Sequence, residues 1–347
     1  MLAETRPSEL DARPVFRLAL AAGITVERDG AEIRVAQGEG LATQLLRAQL
    51  TDDAALRLIA YNPAAEIADQ RRALLAALSA VFGGTPELTT CRLDPAALPG
   101  AALDALRASG VLADDGVCLR DGWAQQADLW LENAAGRTTT APLYRVTEGL
   151  RHPRRAPCAA GPLYRRDLPV AEGRRFTLRG LRLKDDAARI GGWFDEPRVR
   201  AGWGDTGAPS PRAYLERQLD DPHVAPLVGC FDDEPFAYVE ACWLKEDPLS
   251  PHLQPGDYDR GLRMLVGEPR WRGAEHVAAW LPSVVHYLFL DDPRTSAVVC
   301  VPSADHERLI GYLARHGFAQ VRHLDLPRRQ AVLMRTVREA FFSGRHV

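Results

Sequence analysis

Lysine is almost missing from this chain: of its 43 basic residues, only Lys184 and Lys245 are not arginine. Arginine suits forked contacts to carboxylate and phosphate, but a GC-rich genome produces the same bias and is the simpler explanation. A surplus of one charge is missing too. The formal net charge is −3 at pH 7, so neither nucleic acid nor an anionic membrane is an expected partner. Long apolar runs are also absent. The stretch VFRLALAAGITV is interrupted by Arg17 and is too short to span a bilayer. The residues before it, MLAETRPSELDARP, mix charges with prolines, unlike the basic start of a signal peptide. No C-x-x-C occurs among the six cysteines, Cys91, Cys118, Cys158, Cys230, Cys242 and Cys300, and several lie in apolar strand-like runs. This pattern predicts buried free thiols in a reducing cytoplasm and argues against a zinc or other metal site.

What is present is ordinary globular material. The 347 residues are 46% hydrophobic and 26% charged, enough for about two domains with a core in each. The sharpest change of composition is GLRHPRRAPCAAGPLYRRDLPVAEGRR, rich in Pro, Gly and Arg and without periodicity. It predicts a linker or extended connection over 151–175, between a first domain, 1–150, and a second, 176–347. The first domain reads as mixed α/β. TVERDGAEIRVAQ carries a DG hairpin turn, and ADQRRALLAALSAVFGG reads as an amphipathic helix closed by glycines. The second domain reads β-α-α-β-β-β-α-β-α-β-β. Its helix SPRAYLERQLDD begins with a Ser cap and a Pro in the first turn, and VAPLVGCFDDEPFAYVEACWLK reads as a hairpin with an acidic turn.

One stretch raises a question of function. In DYDRGLRMLVGEPRWRGAEH an apolar strand stops at an Arg-rich turn before an apparent helix. Such a strand-turn-helix unit aims free backbone N–H groups at one point, where an anion can sit; the alternative is a solvated turn between two core elements.

The element order of the second domain resembles that of the GCN5-related (GNAT) acyltransferases. The segments RVRAGW, PFAYVEACWLKEDPL, DYDRGLRMLVGEPRWRG, HYLFLDDPRT and VPSADH are, more narrowly, similar to the siderophore-biosynthesis N-acyltransferases. That family includes enzymes acylating N-hydroxylysine for aerobactin, N-hydroxylated diamines for alcaligin-like compounds, and lysine for mycobactin. The resemblance implies an α/β (α+β) GNAT fold in the C-terminal half, with a first domain that is a degenerate copy of the same fold. It implies a cytoplasmic enzyme that uses acyl-CoA, acetyl or succinyl, as co-substrate and needs no metal. The partners it implies are an amine or hydroxylamine acceptor and the other enzymes of a siderophore pathway. Two further readings stay open: acylation of another amine, such as an aminoglycoside or peptide, and acyl-CoA or partner binding without turnover.

The resemblance also assigns residues. Coenzyme A would lie on the strand backbone at Met264 and Leu265 and on the amides from Val266 through Gly267 to Gly273 and Ala274, supported by Arg270 and Arg272. The usual glycine signature of that turn is reduced here to Arg270-Trp271-Arg272-Gly273-Ala274. Several relatives carry a histidine, a proposed base, where this chain has Arg263, and guanidinium cannot act as a base. A hydroxylamine is largely neutral at physiological pH, so the loss of that base favours an N-hydroxylated acceptor. The residues themselves offer Glu240 as base or substrate ligand, or as the ion-pair partner of Arg263. Period-two alternation puts Phe236, Tyr238 and Glu240 on one face. Asp305 and His306, at a strand-to-helix turn, are acid-base candidates, or Asp305 caps the helix. Arg263, Tyr238 and Trp203 are substrate-binding candidates.

Overall fold

The computed structural model describes residues 16–38, 43–94, 100–132, 143–147, 149–158, 161–168, 174–204, 206–327, 329–344 and 346. The stretch 1–14, expected not to be a signal peptide, lies outside the described residues, as do 95–99 of the first domain and 159–160 and 169–173 of the expected connection. The chain divides into two compact units, 1–129 and 130–347. No helix among the described residues is long and apolar enough to cross a membrane.

The first unit is a seven-stranded sheet in sequential order. Its strands are β1 (Phe16–Ala19), β2 (Ile24–Asp29), β3 (Glu32–Gln37), β4 (Thr43–Leu50), β5 (Ala55–Tyr61), β6 (Thr90–Leu93) and β7 (Val117–Leu119). The DG turn makes the β2–β3 hairpin, with Gly30 at φ +56°, a conformation glycine takes without steric cost. Helix α1 (Ile67–Phe82) connects β5 to β6, and every residue from Ala73 to Phe82 is buried. Helices α2 (Gly100–Ala108) and α3 (Arg120–Ala124) complete the unit.

The second unit begins at Trp130, earlier than the change of composition suggested. A hairpin, β8 (Tyr144–Thr147) and β9 (Leu150–Pro153), precedes an eight-stranded sheet. Part of the expected linker is that sheet's edge strand, β10 (Pro162–Leu168), paired along its length with β11 (Arg174–Gly180). Its alternation is hidden because it carries three arginine or aspartate side chains, Arg165, Arg166 and Asp167, in a row. There follow α4 (Leu183–Asp195), α5 (Pro197–Trp203), α6 (Pro211–Asp220), β12 (Val224–Phe231), β13 (Glu234–Trp243), α7 (Ser250–Leu253) and β14 (Arg260–Val266). The chain closes with α8 (Ala274–Asp291), β15 (Ala297–Cys300), α9 (Glu307–Arg315), β16 (Ala319–Leu326), β17 (Arg329–Val337) and α10 (Arg338–Ser343). The predicted start of α6 is present: Pro211 opens the helix and the Ser210 hydroxyl accepts from the Ala213 amide at 3.2 Å. The acidic turn is also as expected, with Asp232 and Asp233 both at positive φ, as a tight two-residue hairpin requires.

In β13 the alternation is broken. The β12–β13 register slips between Gly229 and Cys230, leaving Phe236 without an opposite residue. Such a bulge turns the strand by one side chain. Phe236 therefore stacks on Phe231 and meets Trp280 of α8, whereas Tyr238 packs with Phe194 of α4 and with Trp203. The expectation that Phe236 shares a face with Tyr238 and Glu240 fails for that reason.

The feature that positions the site is the single parallel pair of this sheet, β14 with β15. Only Arg260↔Val298 and Gly261↔Val299 are in register; beyond them the strands part. One end is pinned by buried polar groups. Asp259 accepts from the Ser296 hydroxyl at 2.7 Å and the Ala297 amide at 3.1 Å, and Arg260 reaches Asp291 at the end of α8 at 2.7 Å. The other end is open, so β14 presents an unpaired backbone edge from Leu262 onward. The first unit repeats this arrangement: β5 and β6, joined by α1, are parallel over only Ala55↔Arg92 and Leu56↔Leu93.

Candidate active site

Two cavities, of about 310 and 320 Å³, flank the open part of β14 and share Gly202, Trp203, Met264, His306 and Leu309 in their walls. The first is polar at its far side, where Asp247, Arg263, Ser303 and Arg329 gather. The second runs from Met264 to the start of α8, between Arg198 of α5 and Arg308 and Tyr312 of α9. Two compartments meeting at an unpaired strand edge suit a reaction between two substrates that enter separately.

The second cavity is made for an anion on a long apolar arm. Val277, Trp280 and Leu281 supply its apolar wall, and Arg198, Arg272 and Arg308 its charge. Gly273 precedes α8 at φ +121°, and no side chain caps the helix start, so the amides of its first turn lack intrahelical acceptors. An 18-residue helix adds its dipole at the same point. Other amides of the expected anion loop are already used. Gly267 N–H donates to the Phe236 carbonyl at 2.8 Å, Trp271 N–H to Glu268 and Arg272 N–H to Pro269. Gly267 is present for packing instead: a Cβ there would stand 2.0 Å from the Trp193 ring. Arg272 lines the cavity, with Glu196 at 2.9 Å and the Gly267 carbonyl at 2.7 Å. Arg270 does not line it; it pairs with Glu234. The cations that sequence reading missed here are Arg198, which donates to the Val266 carbonyl, and Arg308. For Arg198, burial, then the nearby charge of Arg272, holds the guanidinium below the ordinary value.

Glu240 is engaged on both oxygens. Tyr214 and Tyr238 donate to Oε1 at 2.5 and 2.9 Å, and Arg263 donates to Oε2 at 3.2 Å. With 3% of its surface exposed it lines neither cavity. Burial raises its pKa, against the opposing pull of Arg263 and the two hydroxyls. Of the two readings open for this residue, the geometry matches the ion pair with Arg263. Burial works against the charge of Arg263, and Glu240 together with the nearby Tyr214, Cys242 and Asp247 more than restores it. Arg263 is further fixed by stacking over the Trp203 ring at 4.5 Å and by the Trp203 carbonyl at 3.4 Å. Tyr238 is wholly buried and lines neither cavity, so it supports Glu240 rather than touching a substrate. Trp203 does line both.

The strand-to-helix turn separates its two candidates. His306, not Asp305, is the N-cap of α9, its Nδ1 accepting from the Leu309 amide at 3.2 Å. An imidazole whose Nδ1 accepts carries its proton on Nε2 when neutral, so the ring offers a donor. His306 lines both cavities. Asp305 is exposed, lines neither, and is held below the usual carboxylate range first by the Ser303 hydroxyl. Sequence reading also missed Asp247, Arg329 and Tyr312: a carboxylate after a strand, an arginine opening a strand and a tyrosine in an amphipathic helix carry no local signal.

Residues 182–326 match the family described as acetyltransferase (GNAT) domain. The chain is 37% identical over 219 residues to N(6)-hydroxylysine O-acetyltransferase of Escherichia coli, covering 63% of this chain and 69% of that protein. It is 43% identical to an N(5)-hydroxyornithine:cis-anhydromevalonyl coenzyme A-N(5)-transacylase of Beauveria bassiana, over 43% of this chain and 33% of that one. To a hydroxyornithine transacylase of Ajellomyces capsulatus it is 34% identical, over 59% of this chain and 48% of that one. The chain thus spans about two thirds of the bacterial relative and half or less of the two fungal ones. On the length and identity of the bacterial match and the GNAT domain within it, the chain belongs to the GNAT acyltransferase family of hydroxamate siderophore biosynthesis.

Proposed function

We propose that this protein transfers an acyl group, acetyl or succinyl, from acyl-CoA to an N-hydroxylated amine by direct attack, forming a hydroxamate. The observation that carries the reading is the opening between β14 and β15, with one cavity on each side meeting at Met264. The pantetheine arm would pair with the free edge of β14 from Leu262 to Val266, as one more strand would. The pyrophosphate would sit at the start of α8 among Arg198, Arg272 and Arg308. The thioester then reaches Met264, and the acceptor enters through the other cavity. The relatives named for hydroxylysine and hydroxyornithine support an N-hydroxylated amino acid or diamine as that acceptor.

In the reaction the hydroxylamine nitrogen adds to the thioester carbonyl, the C–S bond breaks, the nitrogen loses a proton and the CoA thiolate gains one. A neutral hydroxylamine needs no prior deprotonation, which fits a site whose buried carboxylate, Glu240, is tied to Arg263. His306 Nε2–H, in the wall both cavities share, is the donor that hydrogen-bonds the departing thiolate, while the proton released by the acylated nitrogen passes to the sulfur. No cysteine is placed as a nucleophile: Cys242 and Cys300 line the first cavity, but burial raises both thiols. The CoA thioester and six free cysteines support a cytoplasmic location. The first unit reads as a degenerate copy of the same fold, supported by its short parallel pair across α1.

The test is thiol release from acetyl-CoA and succinyl-CoA, with N-hydroxylysine, N-hydroxyornithine, N-hydroxycadaverine and the corresponding plain amines. Release that depends on an N-hydroxy acceptor, with a hydroxamate identified by mass, is the expected result. Saturable CoA binding without turnover on any acceptor refutes it in favour of a binding protein. Turnover on plain amines alone points to another acceptor class.

A further inference from the structure

The first cavity holds a charge arrangement that acyl transfer does not require. Arg263 and Arg329 both line it, from neighbouring parts of the sheet, and Asp247 stands in the same wall. Arg263 is half exposed despite its bond to Glu240, so part of its fork faces the cavity. Arg329 donates to the Val301 carbonyl at 3.1 Å and pairs with no carboxylate among the described residues. Burial first, then the charge of Arg263, holds the Arg329 guanidinium below its ordinary value, with the exposed Asp305 carboxylate pulling the other way. Two forked guanidiniums lining one cavity offer a planar anion more donors than their present partners use. Asp247 is fixed by the Leu249 amide at 2.7 Å and offers the opposite charge.

Resting on the proposed function, we infer that Arg263 and Arg329 form a carboxylate-reading subsite in the acceptor cavity, with Asp247 as the counter-charge for an ammonium group. A carboxylate can arrive there from two sources: the head group of an amino-acid acceptor, or the free end of a dicarboxylic acyl chain projecting past Met264. The chemistry is the same, a planar anion met by two forked donors. Only the amino-acid head group also uses Asp247.

The test pairs ligands that differ in the carboxylate alone: N-hydroxylysine against N-hydroxycadaverine, and succinyl-CoA against propionyl-CoA. Wild type should favour the acid of one pair by about tenfold or more in kcat/KM, the scale of a charge-assisted hydrogen bond. Arg329→Gln should abolish that preference while changing the other pair about equally, Arg329→Lys should restore part of it, and the pair that responds identifies the source. Asp247→Asn should add a loss only if the source is the amino acid. Equal use of both members of each pair by wild type, or an equal loss on all four ligands in Arg329→Gln, overturns the inference. Equilibrium titration of L-lysine, cadaverine, succinyl-CoA and propionyl-CoA by tryptophan fluorescence asks the same question without turnover. Failure of the proposed reaction therefore appears separately, as carboxylate preference in binding with no thiol release. Arg329 is exposed and its loss leaves no buried charge unpaired, so the variant is expected to fold; circular dichroism checks this.

Discussion

Gly267→Ala separates a packing glycine from a phosphate-binding one. A Cβ at this position would stand 2.0, 2.1 and 2.3 Å from three atoms of the Trp193 indole, where ordinary contact begins at 3.4 Å. The ring must therefore move by about 1.4 Å, and it has little room. Trp193 is buried among Ile190, Tyr214, Tyr238 and Leu265, and its Nε1 donates to Glu268 at 3.2 Å. Overpacking of this kind costs about 1–3 kcal/mol, so the openings that expose α4 should become about 5 to 150 times more frequent. Hydrogen exchange read by mass spectrometry resolves peptides of residues 183–195, and α1, in the other unit, serves as internal reference. Trp193→Leu removes the obstructing ring at its own cavity cost, and the double variant should be more stable than the two single losses added together. CoA affinity should fall only as far as the loosened α4 allows. Unchanged exchange of α4 in Gly267→Ala, or additive losses in the double variant, would refute the packing argument. Weaker CoA binding with α4 protection intact would return Gly267 to the anion site.

Three further outcomes follow from the site. Arg198→Gln and Arg272→Gln should each weaken CoA binding by about tenfold, the scale of a lost charge-assisted bond, whereas Arg270→Gln, whose partner is Glu234, should leave it within about twofold; calorimetric titration with CoA measures all three. His306→Ala removes the donor to the departing thiolate, so it should lower kcat for an acetyl-CoA reaction by about tenfold or more with a small change in KM, and a donor thiol of lower pKa should suffer less. Glu240 has its folded pKa raised, chiefly by burial, so the folded state holds that proton at pH values where the unfolded state has lost it. Stability attributable to Glu240 should therefore fall as pH rises from the ordinary carboxylate range to the raised value, then stay level. Glu240→Gln should remove that slope in urea titrations across pH, and a wild-type stability that rises relative to Glu240→Gln over the same window would show that Arg263 outweighs burial.

The sequence shows most clearly those elements whose signal is local. Ser210-Pro211 opens α6, Asp232-Asp233 turns the β12–β13 hairpin, and the apolar run from Gly261 to Val266 is a strand, because caps, tight turns and hydrophobic runs act within a few residues. The motifs around β13, β14 and the VPSADH turn are likewise local runs, and they carry the resemblance to the family. The bulge at Phe236 was not legible. It depends on where β12 stops matching β13, and it is what sends Phe236 to α8 and Tyr238 to α4. The edge strand β10 was hidden for a related reason, since a half-solvated edge tolerates consecutive charged side chains.

Individual roles belong to the tertiary structure, because they depend on which side chains long-range pairing brings together. Sequence supplied a carboxylate, an arginine and two tyrosines; β13–β14 pairing and α6 packing made them one closed network around Glu240. It supplied Asp305 and His306 side by side, and the cap geometry of α9 turned the first toward Ser303 and the second into the wall between two cavities. The sequence by itself determined the family, the order of elements and the strand on which acyl transfer is proposed. Only the fold decided where β14 and β15 part, because that gap depends on buried bonds from Asp259 to Ser296 and Ala297 and from Arg260 to Asp291, more than thirty residues away along the chain.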